Sequence, residues 1–172
     1  MKVITYIAAD GGLAVTKITP EMLNPESATR VTLANEGKLS LDATEAEAFA
    51  WAKSKSIPAG STNVREIEEA QVPTDRSYRD SWEADGATKI KHNMPKARDI
   101  HRDKMRAVRA PKLTALDIDY QRADETGDTV KKSNIVAAKV ALRDVTAVPE
   151  IEAATDIDGL KTAWPDVLVL DN

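Results

Sequence analysis

Cysteine is absent from all 172 residues, so disulfides, thiolate metal sites, iron–sulfur clusters and cysteine nucleophiles are excluded. Histidine occurs only as His92 and His101, which rules out imidazole-rich metal centres and triads that use several histidines. Aromatic residues make up 4% of the chain against 42% apolar residues, much of the latter alanine. Such a composition favours helices with small-residue seams over an aromatic-rich sandwich or barrel. No stretch reaches the roughly 18–20 apolar residues of a membrane helix. The opening Met1-Lys2-Val3-Ile4-Thr5-Tyr6-Ile7 is too short and too β-like for a signal peptide, so a soluble protein made in a reducing compartment is expected. With 24 basic and 28 acidic side chains the net charge is −4, and nothing global draws the chain to a polyanion. The length suits one ordinary domain or two small ones.

Local signals are clearest at the start and in the second half. Val3 to Ile7 and Leu13 to Ile18 flank Asp10-Gly11-Gly12, which predicts a β-hairpin. Pro20 and Pro25 suggest a loop, and Val31-Thr32-Leu33 a short strand broken at Gly37. Asp42, with Glu45 as its capping-box partner, predicts a helix with Ala46, Phe49 and Ala50 on its apolar face, ending before Pro58. Residues 61–67 read as a strand. Residues 71–93, with Pro73, Gly86 and many charges, read as loop or linker around Tyr78 and Trp82.

From Met94 the pattern turns helical. Ala97, His101, Met105 and Val108 recur at helical spacing, and Leu113, Leu116, Tyr120 and Ala123 continue it beyond Pro111. Pro111 either kinks one long helix or opens a second. Gly127-Asp128 marks a C-cap and a new N-cap, so the next helix, with Ile135, Ala138, Leu142 and Val145 on one face, returns as an antiparallel hairpin. Pro149, Thr155 and Asp158 predict a short helical cap bearing Ile157, Leu160 and Trp164 and ending at Pro165. The expected fold is α+β: a β-rich part over residues 1–93 with one or two helices, then a helical hairpin with a cap over 94–172.

Between Lys96 and Lys112 seven basic and two acidic residues give a local net of +5. Arg98, Arg102, Arg106 and Arg109 fall on one arc of about 80° beside the apolar arc. Such arginines dock an acidic surface, or lay their stems over a buried seam and keep their heads in water. His101 has Asp99 and Asp103 two residues away, which point elsewhere on a helix, and a lone histidine on an apolar face is ordinarily a packed one. Asp124, Glu125 and Asp128 lack the ligand spacing of a calcium loop, as does Asp156-Ile157-Asp158-Gly159, so no metal and no cofactor is expected. No phosphate loop, dinucleotide fingerprint, nucleophile elbow or zinc-protease helix occurs, and the chain is expected not to be an enzyme.

Ala141-Leu142-Arg143-Asp144-Val145-Thr146, followed by Trp164-Pro165, resembles the closing segment of short bacteriophage and prophage tail-module proteins, the tail-fibre-assembly group among them. The run from Arg102 through Leu116 to Glu125-Thr126-Gly127-Asp128 is similar to theirs, as is the opening hairpin. The likeness spans roughly residues 94–166 and 1–18. Ala138-Lys139-Val140 stands where fibre-assembly proteins commonly carry an aromatic-Arg-Gln run. The resemblance implies a non-enzymatic virion structural or adaptor protein that contacts tail, fibre or baseplate proteins, or itself, found in the host cytoplasm during assembly and then in the virion. An assembly chaperone that leaves before the particle is complete is the alternative, and a nucleic-acid-binding regulator is the reading from another class. Membrane and nucleic acid are not the expected partners. The expected contact surface is the open face of the hairpin: Arg98, Arg102, Met105, Arg106 and Arg109, with Leu142, Arg143, Asp144 and Trp164.

Overall fold

The computed structural model describes residues 2–169. They form an α+β fold in two compact units, residues 2–77 with Trp82–Lys91, and Tyr78–Ser81 with residues 92–169.

In the first unit β1 (Lys2–Ile7) and β2 (Leu13–Lys17) form the expected hairpin, closed by the Ala8 N–H donating to the Gly12 carbonyl. β3 (Thr62–Glu68) pairs antiparallel with the other side of β1, giving the order β2-β1-β3. Alternate side chains leave opposite faces of the central strand. Ile4 and Tyr6 pack with Ile18 and Ala52 on the face that carries α1 (Pro20–Leu23) and α3 (Glu45–Ser56). Val3 and Ile67 pack with Val72, Trp82 and Ile90 on the other, beside the hairpin of β4 (Trp82–Asp85) and β5 (Lys89–His92).

Four expectations are corrected here. The segment 71–93 is not a linker, because Trp82 and Ile90 are core residues and their strands pair. The loop between Pro20 and Pro25 contains α1, with Pro20 in its first turn. Val31-Thr32-Leu33 lies inside a helix, α2 (Ala28–Asn35). Ser27 caps that helix by accepting the Arg30 N–H at 3.1 Å. Gly37, at φ +66°, closes it in a Schellman motif, donating to Ala34 while Lys38 donates to Leu33. Two good ends outweigh the strand preference of a few β-branched residues. The α3 cap also shifts: Thr44 accepts the Glu47 N–H and the Glu47 carboxylate accepts the Thr44 N–H, in place of Asp42 and Glu45. The Thr44 N–H and hydroxyl, with the Arg30 charge adding, hold the Glu47 carboxyl below its usual range.

The second unit is built on α4 (Met94–Glu125) and α5 (Thr129–Asp144). At 1.5 Å per residue α4 is about 48 Å long and α5 about 24 Å. Gly127, at φ +69°, makes the turn by the same Schellman pattern, and Asp128 then caps α5 by accepting the Lys131 N–H at 2.8 Å. The chain ends in α6 (Pro149–Ala153), α7 (Ile157–Thr162) and a 3-10 turn, Asp166–Leu168. The cap of α7 is Asp156, which accepts the Gly159 N–H, and not Thr155. Met105, Leu142, Val145, Ile151, Leu160 and Leu168 form the core.

Helix α4 runs unbroken through Pro111, so the two alternatives resolve as one helix. Proline has no N–H to offer the Ala107 carbonyl one turn back, and its ring crowds that carbonyl. Pro111→Ala should therefore raise the stability of the helical unit by about 1–3 kcal/mol, read as a higher denaturation midpoint at unchanged slope.

Candidate functional site

The arginine arc does not edge an open face. Arg98 donates from Nε to the Ile151 carbonyl at 3.1 Å and from Nη2 to the Ala154 carbonyl at 3.0 Å. Arg102 donates from Nε to the Thr146 carbonyl at 3.3 Å and pairs with Glu152 and Asp99. Arg109 donates to the Arg143 carbonyl at 2.8 Å, and Lys112 to those of Val167 and Val169 at 3.0 and 2.8 Å. These acceptors lie at helix ends and turns, where carbonyls have no partner inside the helix and carry partial negative charge. The row is a set of latches holding the end of α5 and the C-terminal cap against α4. Arg106, half exposed and paired among the described residues with Asp103 one turn away at 2.5 Å, is the exception.

The expected contact surface is corrected accordingly. Met105 is wholly buried and Leu142 nearly so, because the cap fills the face that two helices alone leave bare. Trp164 is half-buried, its ring edge-on to His101 at 5.4 Å between centroids. Arg143 and Asp144 are exposed at the end of α5, where the Arg143 carbonyl accepts from Arg109. The structure gathers Met105, Leu142 and Trp164 into one core and sets Arg109 on the Arg143 carbonyl, which makes the nine residues part of a closed seam and not an open contact surface.

His101 is the packed histidine its helical position suggests, fully buried among Tyr78, Trp164 and the α4 seam. Its Nδ1 lies 2.7 Å from the Tyr78 hydroxyl, and its Nε2 has no hydrogen-bond partner. Burial, with the charges of Lys104 and Arg102 adding, pushes its pKa down, so folding favours the neutral ring. No carboxylate hydrogen-bonds to it, so it is not set up as a general base. The unfolded chain takes up a proton near pH 6.5 that the folded unit takes up only at lower pH. The stability from this site is therefore full above about pH 6.5 and falls as pH drops below it. Melting the wild type and His101→Gln across that range should show a steeper loss for the wild type.

His92 sits at the end of β5, with Nδ1 2.8 Å from the buried Ser81 hydroxyl. That hydroxyl donates its single proton to the Tyr78 carbonyl at 2.7 Å, so it accepts from His92. Ser81 is a hydrogen-bonded turn residue and not a nucleophile primed by a base. The acidic turn is equally committed: Asp124 pairs with Lys132 at 2.5 Å, which raises the lysine's pKa, and Asp128 caps α5. Among the described residues no group of three or more acidic or histidine side chains is placed to hold a metal ion, and no helix is long and apolar enough to cross a membrane.

Among the described residues a groove in the sheet unit and an apolar face in the helical unit stand out. In the sheet unit a groove of about 710 Å³ lies between α3 and the β3 edge, lined by Leu23, Glu45, Phe49, Lys53 and Glu66 among others. Lys53 and Glu66 pair with each other at 3.1 Å inside it. In the helical unit the outer surface of α5 exposes Val130, Val136 and Val140, at 70%, 48% and 47% of their full area. Reading one apolar face of α5 from the sequence leaves this second one unnoticed, although its spacing is there to be read.

No family profile, no curated protein and no solved structure matches the chain.

Proposed function

We propose that this chain is a non-enzymatic adaptor of a phage tail module that works by contacting other virion proteins. The observation that carries the reading is the exposure of Val130, Val136 and Val140 on a helix whose opposite side already closes its own unit's core. Apolar surface left over after a core is complete is surface for a partner. The resemblance of residues 94–166 to tail-module proteins supplies the setting. The two histidines and the buried serine, each committed to packing or turn hydrogen bonds, offer no reaction centre in its place.

The basic arc gives a nucleic-acid regulator little support, since Arg98, Arg102 and Arg109 are spent on backbone carbonyls. Mass spectrometry of purified particles tests the proposal. Presence in fixed stoichiometry supports the adaptor. Presence in the producing cell but absence from the particle replaces it with the assembly chaperone.

A further inference from the structure

We infer that the C-terminal strap, residues 164–169, is an acid-released cover that lifts off α4 when His101 takes up a proton and bares the groove between α4 and α5. This motion belongs to the helical unit alone and holds whether or not the chain is an adaptor. The buried ring of His101 makes one hydrogen bond, between Nδ1 and the Tyr78 hydroxyl at 2.7 Å, and its Nε2 makes none. A neutral imidazole carries one N–H, whereas an imidazolium carries one on each nitrogen, so protonation leaves a charged donor unpaired inside the core. The charges that act on the ring are those of Lys104 and Arg102, both cationic, and Lys104 stands 3.8 Å from the centroid of the Tyr78 ring. The carboxylates of the surrounding elements are engaged elsewhere. Asp99 pairs with Arg102, Asp103 with Arg106, and Glu152 of α6 with Arg98 and Arg102. Asp80 on the Tyr78 turn pairs with Arg79, and Asp158 of α7 with Lys161. Asp156 caps α7, while Glu150 of α6 and Asp166 of the strap are exposed. A proton on His101 is therefore answered by water, and water enters only if a neighbouring element moves.

The strap is the element that gives. His101 itself is fixed in a continuous helix of 32 residues. The turn bearing Tyr78 is fastened on both sides: the Ser81 N–H donates to the Tyr78 carbonyl, the Asn93 N–H to the Ser81 carbonyl, and both side chains are buried. The strap has a single 3-10 turn as its regular structure, packed against α4 and α5 with Leu168 buried between them. Lys112 holds its Val167 and Val169 carbonyls, but those two side chains are 40% and 56% exposed, and Trp164 is only half-buried. Few buried contacts and much exposed backbone make a segment that opens before its unit does. Trp164 is also the ring set edge-on to His101, so lifting it admits water to the imidazole. Opening returns His101 to its ordinary value near pH 6.5. Below that pH the opening constant therefore rises up to tenfold per pH unit, until the closed unit takes up the proton itself.

Residue-resolved hydrogen exchange on the full chain, at about pH 7.5 and about pH 5 and corrected for intrinsic exchange rates, provides the test. The Leu168 and Val169 amides donate to the Pro165 and Asp166 carbonyls inside the strap. They should be less protected than the Met105 and Val108 amides of α4 at both pH values, and about tenfold less protected at the lower pH than at the higher. His101→Gln, which cannot take up the proton, should make the protection of the strap equal at the two pH values. His92→Gln leaves His101 as the sole imidazole of the chain and should keep the acid loss, which decides the matter even where His101→Gln does not fold. Strap protection that ignores pH overturns the inference, as does an acid loss that persists in His101→Gln or vanishes in His92→Gln. Strap amides as well protected as those of α4 at both pH values overturn it too, because the strap would then open only when the whole unit unfolds.

Discussion

Arg30→Met should cost the sheet unit about 3–5 kcal/mol and bring it close to unfolding in water. Arg30 is the largest fully buried side chain among the described residues, and its guanidinium has no carboxylate partner in hydrogen-bond range. It donates instead from Nε to the Ser40 carbonyl at 3.0 Å, from Nη1 to that of Met22 at 2.8 Å and from Nη2 to that of Ala43 at 2.6 Å. Three segments with little regular structure between them, the end of α1 and the two turns before α3, thus converge on one planar fork. Methionine fills much of the stem's volume but leaves three inward carbonyls without donors, and each charge-assisted bond contributes about 1.5–3 kcal/mol. Lysine should recover only part, because a point charge on a flexible stem cannot reach three carbonyls lying in a fork. Urea titration of the three proteins provides the measurement. A Met variant within about 0.5 kcal/mol of wild type would mean that water satisfies those carbonyls without help.

Arg30 also marks where sequence reading ends. Elements with local punctuation are legible: Gly11-Gly12 announces the β1–β2 hairpin, Gly127-Asp128 the α4–α5 turn, and Pro149 the start of α6. Each is decided within a few residues by backbone sterics and capping, and the α+β class follows from them. α2 is illegible because its β-branched residues argue for a strand, while what fixes it, an arginine reaching carbonyls eight to thirteen residues away, leaves no local pattern. β4 and β5 are short and charged and become strands because Trp82 and Ile90 complete the core on Val3 and Ile67, which is information held elsewhere in the chain. The arginine arc shows the complementary limit. Helical spacing places the four residues on one side of α4 correctly, but it does not say whether solvent, a partner or the protein's own carbonyls face them.

That last distinction has a measurable consequence. Arg102→Glu is expected to destabilise the helical unit by about 2–4 kcal/mol, whereas Arg106→Glu, four residues on and equally basic, should change it by no more than about 0.5 kcal/mol. The Arg102 side chain is only 21% exposed, against 51% for Arg106. Arg102 joins the Thr146 carbonyl, Glu152 of α6 and Asp99 of its own helix. Glutamate there would strip the carbonyl of its donor and face two carboxylates, so like-charge repulsion adds to the lost bonds. The effect should shrink in high salt, which screens the repulsion but cannot restore the donor. Combining Arg102→Glu with Glu152→Lys should recover the charge pairing and leave the Thr146 deficit, separating the two contributions in one thermodynamic cycle. A wild-type melting curve for Arg102→Glu alone would instead make the row a solvated face and reopen it as a contact surface.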